Sequence, residues 1–227
     1  MERDTGSGLT QEDAPYSIGI ARFTEAVVTA SVPAALVQAG TLVSLRRGAV
    51  HELLDALANR SLNIVLSRCE GMNERSEFIY LPIYKDRFVA VCGKKHPLWG
   101  KRNITLDTLA KQDWILPPPN SYAQKVFEQA FLSAGLTPPR AAVISSLGAS
   151  DLGMMETQPL LALFPESEVF YLQQTGTLRS LGDLKMQYEV IGAILLRNAP
   201  VHPATAAAVE SLNAFARSLR SASITHP

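Results

Sequence analysis

Short apolar runs alternate with helix-like patterns over the first third of the chain. The run at residues 16–21 predicts a strand, and the stretch from Thr24 to Gln38 predicts a helix that is apolar nearly all round. Such a helix is buried on more than one side, either inside the domain or between the sheet and a partner subunit. A strand at 42–45, a helix with its apolar face between Val50 and Ala58, and a strand at 62–67 follow. This βαβαβ order predicts a parallel sheet with right-handed crossovers.

The same alternation continues to the end of the chain and predicts an α/β protein. Further strands are predicted at 78–84, 87–93, 114–116, 141–146, 160–164, 178–181 and 188–196. Further helices are predicted at 105–109 with Thr105 as its cap, from the Asn120–Ser121 cap to Gly135, at 149–156, after Pro165, and from Pro203 onward.

The sharpest local feature is the stretch Trp114–Ser121, which reads WILPPPNS. A short apolar strand stops there at three prolines, which cannot donate ladder hydrogen bonds, and Asn120 and Ser121 follow as good N-cap residues. The helix that begins at this turn would offer free backbone N–H groups to a small anion or a polar ligand. The alternative is an ordinary capped loop that binds nothing.

Composition and charge exclude several classes of protein. The 227-residue chain carries 21 basic and 21 acidic residues, without the basic surplus typical of a chain that binds nucleic acid by itself. Residues 1–15 are polar and lack an apolar signal-peptide core, and no run of about 18 apolar residues could span a membrane. The two cysteines, Cys69 and Cys92, lack metal-site spacing. We therefore predict a reduced, cytoplasmic protein without a metal.

An enzyme is the first alternative reading. The four histidines, His51, His96, His202 and His226, show no arrangement with a nucleophile, and the GxSxG pattern is absent. The patterns GxGxxG and GxxxxGK[ST] are absent too, so no nucleotide cofactor is predicted. Cys69 is more typical of a small packed residue than of a nucleophile. We predict that the chain is not an enzyme and that it uses no cofactor.

Several segments, taken in order, resemble one known family. They are 51–57 (HELLDAL), 62–68 (LNIVLSR), 81–89 (LPIYKDRFV), 95–98 (KHPL), 117–121 (PPPNS), 131–139 (FLSAGLTPP) and 203–219. Each segment alone is weakly specific, but their order and spacing resemble the effector-binding domain of LysR-type transcriptional regulators over about residues 16–218. The LPPP turn at 116–119 resembles the subgroup that includes regulators of protocatechuate and galactose use.

The resemblance implies two Rossmann-like α/β subdomains joined by two crossover strands, which is the type 2 periplasmic-binding-protein fold. Subdomain I would comprise residues 16–67 with 193–218, and subdomain II residues 68–192. Residues 1–15 would be a tail or linker, and residues 219–227 a C-terminal tail. Members of the family bind a small-molecule effector in the cleft between the subdomains, which agrees with the general placement of ligands at the carboxyl ends of strands.

The resemblance also implies a ligand site, from which this chain departs in part. The family commonly has Ser or Thr at the start of the first helix, where this chain has Phe23 followed by Thr24. A second hydroxyl commonly follows the glycine after the second strand, and that position is Ala49 here. The cleft would then bind weakly, or take a bulkier and more apolar ligand. The implied ligand-binding residues are Arg22, Phe23, Thr24, Ala49, Pro119, Asn120, Ser121, Ser146 and Leu147.

For partners, the resemblance implies a small-molecule effector and a homodimer or homotetramer formed through the first helix and the second strand. DNA would be contacted only through an N-terminal winged helix-turn-helix domain, which residues 1–15 cannot be. We therefore expect a truncated chain or a stand-alone effector domain. The alternative function is a solute-binding protein of a transport system with the same fold. The apolar first helix favours the regulator, because it suits side-by-side packing of subunits.

Overall fold

The computed structural model describes residues 14–21, 24–69, 75–145, 149–182 and 184–223. The chain divides into two compact units. The first contains the residues up to Tyr84 and those from Ile191 onward, and the second is Lys85–Val190. Each unit contains a five-stranded mixed sheet with helices packed on it.

All the predicted strands and helices are present, with ends shifted by a few residues at most. In chain order they are β1 (Tyr16–Ala21), α1 (Glu25–Gln38), β2 (Val43–Gly48), α2 (Val50–Ala58), β3 (Ile64–Arg68), β4 (Phe78–Asp86), β5 (Phe88–Gly93), α3 (Leu106–Ala110), β6 (Trp114–Leu116), α4 (Tyr122–Ser133), β7 (Ala141–Ile144), α5 (Ala149–Thr157), β8 (Leu161–Pro165), α6 (Glu166–Gln174), β9 (Leu178–Ser180), β10 (Glu189–Leu196) and α7 (Ala204–Ser223).

The first sheet has the strand order β2-β1-β3-β10-β4. β1 runs parallel to both β2 and β3, which confirms the predicted parallel arrangement, and β10 runs antiparallel to β3. α2 packs on this sheet through Leu53, Leu54 and Leu57, which are all buried. The apolar spacing of α2 therefore serves the core of the first unit.

Among the α1 side chains that the structure describes, some are buried and others are exposed. Val32 and Leu36 are buried, and α1 packs against α7. Val37, by contrast, is 60% exposed, as is Leu42 at 65% just before β2. The sequence left two alternatives for this helix, a place inside the domain or a place between the sheet and a partner subunit. These exposed side chains fit the second alternative.

The second sheet has the order β7-β6-β8-β5-β9, and β6 is parallel to both of its neighbours. α4 lies on this sheet through an aromatic cluster of Trp114 from β6 with Phe127 and Phe131 from α4, all fully buried. The Trp114 ring centroid lies 4.8 Å from that of Phe127 and 6.4 Å from that of Phe131. The Trp114 indole N–H donates to the carbonyl of Leu109 at 2.9 Å, so its polar group is satisfied inside the core.

Two strands carry the chain from one unit to the other. β4 passes between them at Tyr84–Lys85, and β10 passes back at Val190–Ile191. Within the first unit the two strands are neighbours, and a Cβ at Gly192 would lie only 2.4 Å from the Leu81 carbonyl oxygen. The predicted boundaries after residue 67 and before residue 193 remain predictions of the subdomain limits.

The end of β4 is fixed to α6 inside the second unit. The buried Asp86 carboxylate accepts hydrogen bonds from the Ser167 hydroxyl at 2.5 Å and from the backbone N–H groups of Ser167 and Arg87 at 3.2 and 2.9 Å. Arg87 donates two hydrogen bonds to Glu166, at 3.0 and 3.1 Å, and its guanidinium lies over the Tyr188 ring. Burial raises the pKa of Asp86 to about 6, although these hydrogen bonds act in the opposite direction.

Replacing this carboxyl should change how stability depends on pH. The folded pKa of Asp86 is about 6, whereas an unfolded Asp has a pKa of about 3.9. Between these values the folded protein holds a proton that the unfolded chain has lost, so this group's contribution to stability is lost as pH rises from about 4 to about 6. The total is on the order of 3 kcal/mol. In Asp86→Asn this component should be missing, as measured by urea unfolding across this pH window.

The matched control is Asp107→Asn, because Asp107 is an exposed surface carboxyl paired with Lys111. It should follow the pH dependence of the parent chain. If Asp86→Asn also follows the parent curve, Asp86 does not hold a proton in the folded protein near pH 5.

Candidate functional site

The carboxyl ends of β1 and β2 lie side by side, where Ala21 is paired with Gly48. We call this end of a sheet, where its parallel strands finish, the carboxyl edge. α1 and α2 both begin at this edge, with Thr24 and Ala49 as their N-cap residues. Two helix N-termini therefore come to the same edge, and their backbone N–H groups give it a partial positive charge.

Thr24 uses its hydroxyl inside the domain. The side chain is 1% exposed, and its hydroxyl donates to the carbonyl oxygens of Ala21 at 2.8 Å and Leu66 at 3.3 Å. It therefore ties the end of β1 to the end of β3. The neighbouring Ser67 hydroxyl is buried without a hydrogen-bond partner among the residues that the structure describes. An unsatisfied buried hydroxyl of this kind is uncommon and marks this edge as a candidate for ligand contact.

At α2, a carboxylate takes the place of the expected hydroxyl. Ala49 is half-buried and has no polar side-chain atom, and its backbone N–H donates to Glu52 Oε2 at 3.2 Å. Glu52 lies in the first turn of α2, where the helix dipole favours a negative charge. The N-terminus of α2 is therefore already covered by an acidic group, which disfavours a second anion there.

The Pro117–Ser121 turn connects β6 to α4 as the sequence predicts. Pro117 is buried, whereas Pro119 and Asn120 are exposed. Asn120 has φ +64°, a left-handed conformation that Asn tolerates better than most residues. The Ser121 hydroxyl accepts a hydrogen bond from the Gln124 N–H at 3.3 Å, so Ser121 is the N-cap of α4.

Acceptor oxygens flank this turn at the carboxyl edge of the second sheet. Ser145, just after β7, donates its backbone N–H to the Leu116 carbonyl at 2.9 Å and its hydroxyl to Asp151 Oδ2 at 3.0 Å. Asp151 is fully buried in the first turn of α5. The side-chain N–H of Gln124 donates to Glu128. The other side-chain atom of the amide, Gln124 Oε1, is buried and has no hydrogen-bond partner in the described structure. An arrangement rich in acceptors suits a ligand that brings hydroxyl or ammonium donors.

Comparison with known proteins identifies the chain. The LysR substrate binding domain family matches residues 38–217, which is well over half of the chain. The chain belongs to the LysR substrate-binding domain family. It is thus a ligand-sensing regulatory domain, as the resemblance implied.

The curated relatives of this LysR domain are transcriptional regulators. It is 26% identical over 169 residues to the HTH-type transcriptional regulator GbpR of Azospirillum brasilense, covering 72% of this chain and 49% of that protein. It is also 26% identical to the HTH-type transcriptional regulator GalR of Pseudomonas putida over 53% of this chain and 30% of that protein. The chain spans about half the length, or less, of these relatives. A solute-binding protein of a transport system is not favoured by them.

Solved structures share the fold of this LysR domain. An OxyR C206 mutant of Corynebacterium glutamicum superposes with a TM-score of 0.68 at 15% identity, over 98% of this chain and 70% of that one. The effector binding domain of QuiR in complex with shikimate gives a TM-score of 0.60 at 17% identity, over 94% and 99%. The regulatory domain of HypT from Salmonella typhimurium gives 0.62 at 16% identity, over 93% and 96%. The predicted two-subdomain fold of the periplasmic-binding-protein type is confirmed.

The predicted site residues of the LysR domain fall into two groups. Thr24 and Ala49 lie at the carboxyl edge of the first sheet, and Pro119–Ser121 lie at the carboxyl edge of the second. The predicted Arg22, Phe23, Ser146 and Leu147 lie outside the described residues.

The sequence prediction missed Ser67, Gln124 and Asp151. Asp151 could have been found as an acidic residue in the first turn of a helix predicted to follow a strand. Ser67 and Gln124 give no local signal, because one lies within a strand pattern and the other within a helix pattern.

Burial shifts the pKa of several ionisable groups of the LysR domain. Burial raises the pKa of the Cys69 thiol. It raises the pKa of the Cys92 thiol to about 11, and a thiol with a raised pKa forms the nucleophilic thiolate less readily. His96 is buried, its Nδ1 accepts the Leu98 N–H at 3.1 Å, and burial lowers its pKa. Within the described residues, no cluster of His, Cys, Asp and Glu could hold a metal ion. No described helix is long and apolar enough to cross a membrane.

The cap of α4 can be tested by mutation. Ser121→Ala should lower the free energy of unfolding by about 1 kcal/mol, because the Gln124 N–H loses its acceptor. Ser121→Asp should keep the parent stability, since a carboxylate caps equally well. Both tryptophans, Trp99 and Trp114, lie in the second unit, so their fluorescence during urea unfolding reports on the unit that contains α4. Equal loss in both variants would show that the cap contributes nothing.

Proposed function

We propose that this chain is the effector-sensing part of a LysR-type transcriptional regulator, with the effector held by residues at the carboxyl edges of the two sheets. The observation that supports this most is that helices begin directly after strand ends at both edges, in a chain of this family. The proposed contacts from the first edge are Arg22, Phe23, Thr24 and Ala49, and those from the second are Pro119, Asn120, Ser121, Ser146 and Leu147.

The chemistry of the two edges favours an effector with several hydroxyl groups. At the first edge the Glu52 carboxylate covers one helix N-terminus. At the second, the Asp151 carboxylate and Gln124 Oε1 are acceptors. Sugars, polyols and hydroxylated acids can donate to such oxygens, whereas anions without a hydroxyl group, such as sulfate and chloride, cannot.

The proposed regulator contacts DNA through a domain outside this chain and acts in the cytoplasm as a homodimer or homotetramer. The domain itself binds without catalysing a reaction and uses no cofactor. The effector shifts an equilibrium between two arrangements of the regulator, and only as far as its affinities for the two arrangements differ.

Self-association through α1 and β2 is supported by two features. β2 is an edge strand of the first sheet, so one row of its backbone hydrogen-bonding groups faces away from β1. Val37 in α1 and Leu42 just before β2 are large exposed apolar side chains.

A thermal-shift screen tests the proposed effector site. The panel contains sugars and polyols, hydroxylated aromatic acids, amino acids and inorganic anions. An effector at about 100 times its dissociation constant adds roughly 2.7 kcal/mol of stability, which is a rise in Tm of about 5–10 °C for a chain of this size. We expect hits among the hydroxylated compounds. A shift with inorganic anions alone would contradict the assigned ligand chemistry, and no shift with any class would contradict the site.

Variants of the turn then locate the ligand that the screen finds. Asn120→Gly keeps the left-handed backbone and removes the side-chain amide. It should weaken the hit about three- to ten-fold by isothermal titration calorimetry, which corresponds to one lost hydrogen bond. The control is Asn103→Gly, because Asn103 also has a positive φ but lies before α3. Equal effects of the two variants would place the ligand elsewhere.

Self-association is tested by charge substitution on the exposed apolar positions. Val37→Lys and Leu42→Lys should shift the chain toward monomer in sedimentation velocity at about tens of micromolar, because a buried lysine without a partner is costly. Leu132→Lys is the matched control, since Leu132 is 58% exposed but lies on α4 in the second unit, to which neither α1 nor β2 belongs. A parent chain that is already monomeric at this concentration would contradict the proposed interface.

A further inference from the structure

A groove opens in the second unit between α3, the second half of α4 and residues 184–187. Its volume is about 630 Å³, within the range of pockets that hold small molecules. The groove is separate from the Pro119–Ser121 turn, which lies at the other end of α4. The lining residues Val126 and Ala130 lie five and nine positions beyond Ser121, about 8 and 14 Å along the helix axis.

α4 carries two apolar stripes, and only one of them is needed for the core. Ala123, Phe127 and Phe131 are fully buried against the sheet. Val126, Ala130 and Ala134 repeat at the same four-residue spacing, about 100° around the helix, and line the groove. A helix that packs on one side usually presents polar residues on its other sides. The second apolar stripe is therefore a candidate surface for binding another molecule.

The floor and rim of the groove differ in polarity. Leu184 and Met186 line it and are themselves almost fully buried, at 3% and 7% exposed, so the groove reaches down to the apolar core. Lys185, between them, is the single charged residue among the described residues that line the groove. Lys185 has φ +54°, a conformation that costs a non-glycine residue energy.

We propose that this groove is a second small-molecule site, and that it takes an amphiphilic monoanion such as a medium-chain or aryl-substituted carboxylate. The apolar body lies against Val126, Ala130 and Met186, and the carboxylate meets the Lys185 ammonium. Lys185 already takes part in another interaction, but an ammonium has three N–H donors and can serve a ligand as well. The site does not depend on the effector site proposed above.

Charge and shape favour this occupant over a protein partner. The lining contributes one cation and no carboxylate among its described residues, so it is complementary to a single negative charge. The groove is also a concave space of small-molecule size, whereas a stable protein interface needs about 800 Å² from each partner and is rarely this deep.

Methionine NMR on the whole chain provides the test. The chain is labelled with ¹³C at the methionine methyl groups and titrated with hexanoate, and in parallel with hexanol as the uncharged counterpart. The Met186 signal, identified from Met186→Leu, should move with saturation at millimolar hexanoate. Met155 packs in the core with Val91 and Ile115, does not line the groove and should not move.

Variants separate the groove from other places. Ala130→Trp fills the groove and should abolish the shift. Leu132→Trp, on the same helix at a 58% exposed position that does not line the groove, should leave the shift unchanged. Lys185→Asn, which tolerates the positive φ, should weaken hexanoate about two- to five-fold and leave hexanol unaffected.

Three results would overturn the proposal. One is the absence of a Met186 shift up to about 10 mM hexanoate. Another is a shift that survives Ala130→Trp but is lost in Asn120→Gly, which would place hexanoate at the turn and leave the effector proposal standing. The last is a Met186 signal that moves with protein concentration alone, together with dimers in sedimentation that Ala130→Trp disrupts, which would make the groove a contact between copies of the chain.

Discussion

The packing of Trp114 against Phe127 and Phe131 is the constraint on which the second unit depends. These three rings are fully buried, with centroid distances of 4.8 Å and 6.4 Å from Trp114, and together they fix α4 on β6. Because α4 is held in this way, its N-terminus must follow directly from the end of β6. The short proline turn between β6 and α4 allows few backbone conformations. The aromatic core therefore determines where Ser121 and the first N–H groups of α4 lie.

The two sheet edges share a layout but differ in the groups they offer. Parallel strands and following helices bring N–H groups to each edge, which by itself would favour an anion. The side chains modify this preference. Glu52 accepts from the Ala49 N–H in place of a ligand, and Ser145 directs its hydroxyl to Asp151. Under the proposed function, the choice of ligand depends on a few acidic side chains placed on a common scaffold, rather than on the fold.

The elements of this structure could be predicted from the sequence because their signals are local. The cap of α4 at Ser121 and that of α3 at Thr105 are both present, with the side chains accepting from Gln124 and Thr108. Apolar spacing likewise identified the buried face of α2. Each of these signals lies within one turn or one strand of the residues that respond to it.

Contacts between residues far apart in the chain could not be predicted from the sequence. The Thr24 hydroxyl donates to the carbonyl of Leu66, 42 positions away, and no local pattern around Thr24 indicates this contact. The place where β4 leaves the first unit depends on pairing with β10, more than a hundred residues later. The clamp of Asp86 on Ser167 spans 81 positions. Polar side chains are commonly used for such ties, and nothing in their local sequence separates a tie from a binding group.

The division of α4 into three sets of positions has a consequence for how this domain can evolve. Its core stripe, its N-terminal turn and its groove stripe use different positions on one helix, so substitutions in one set leave the other two largely intact. If the turn and the groove bind ligands as proposed, substitutions can alter the compound bound at the turn, or fill the groove with larger side chains, without repacking the aromatic cluster. Under these proposals, divergence in ligand response can accumulate on α4 while the packing of Trp114, Phe127 and Phe131 is kept.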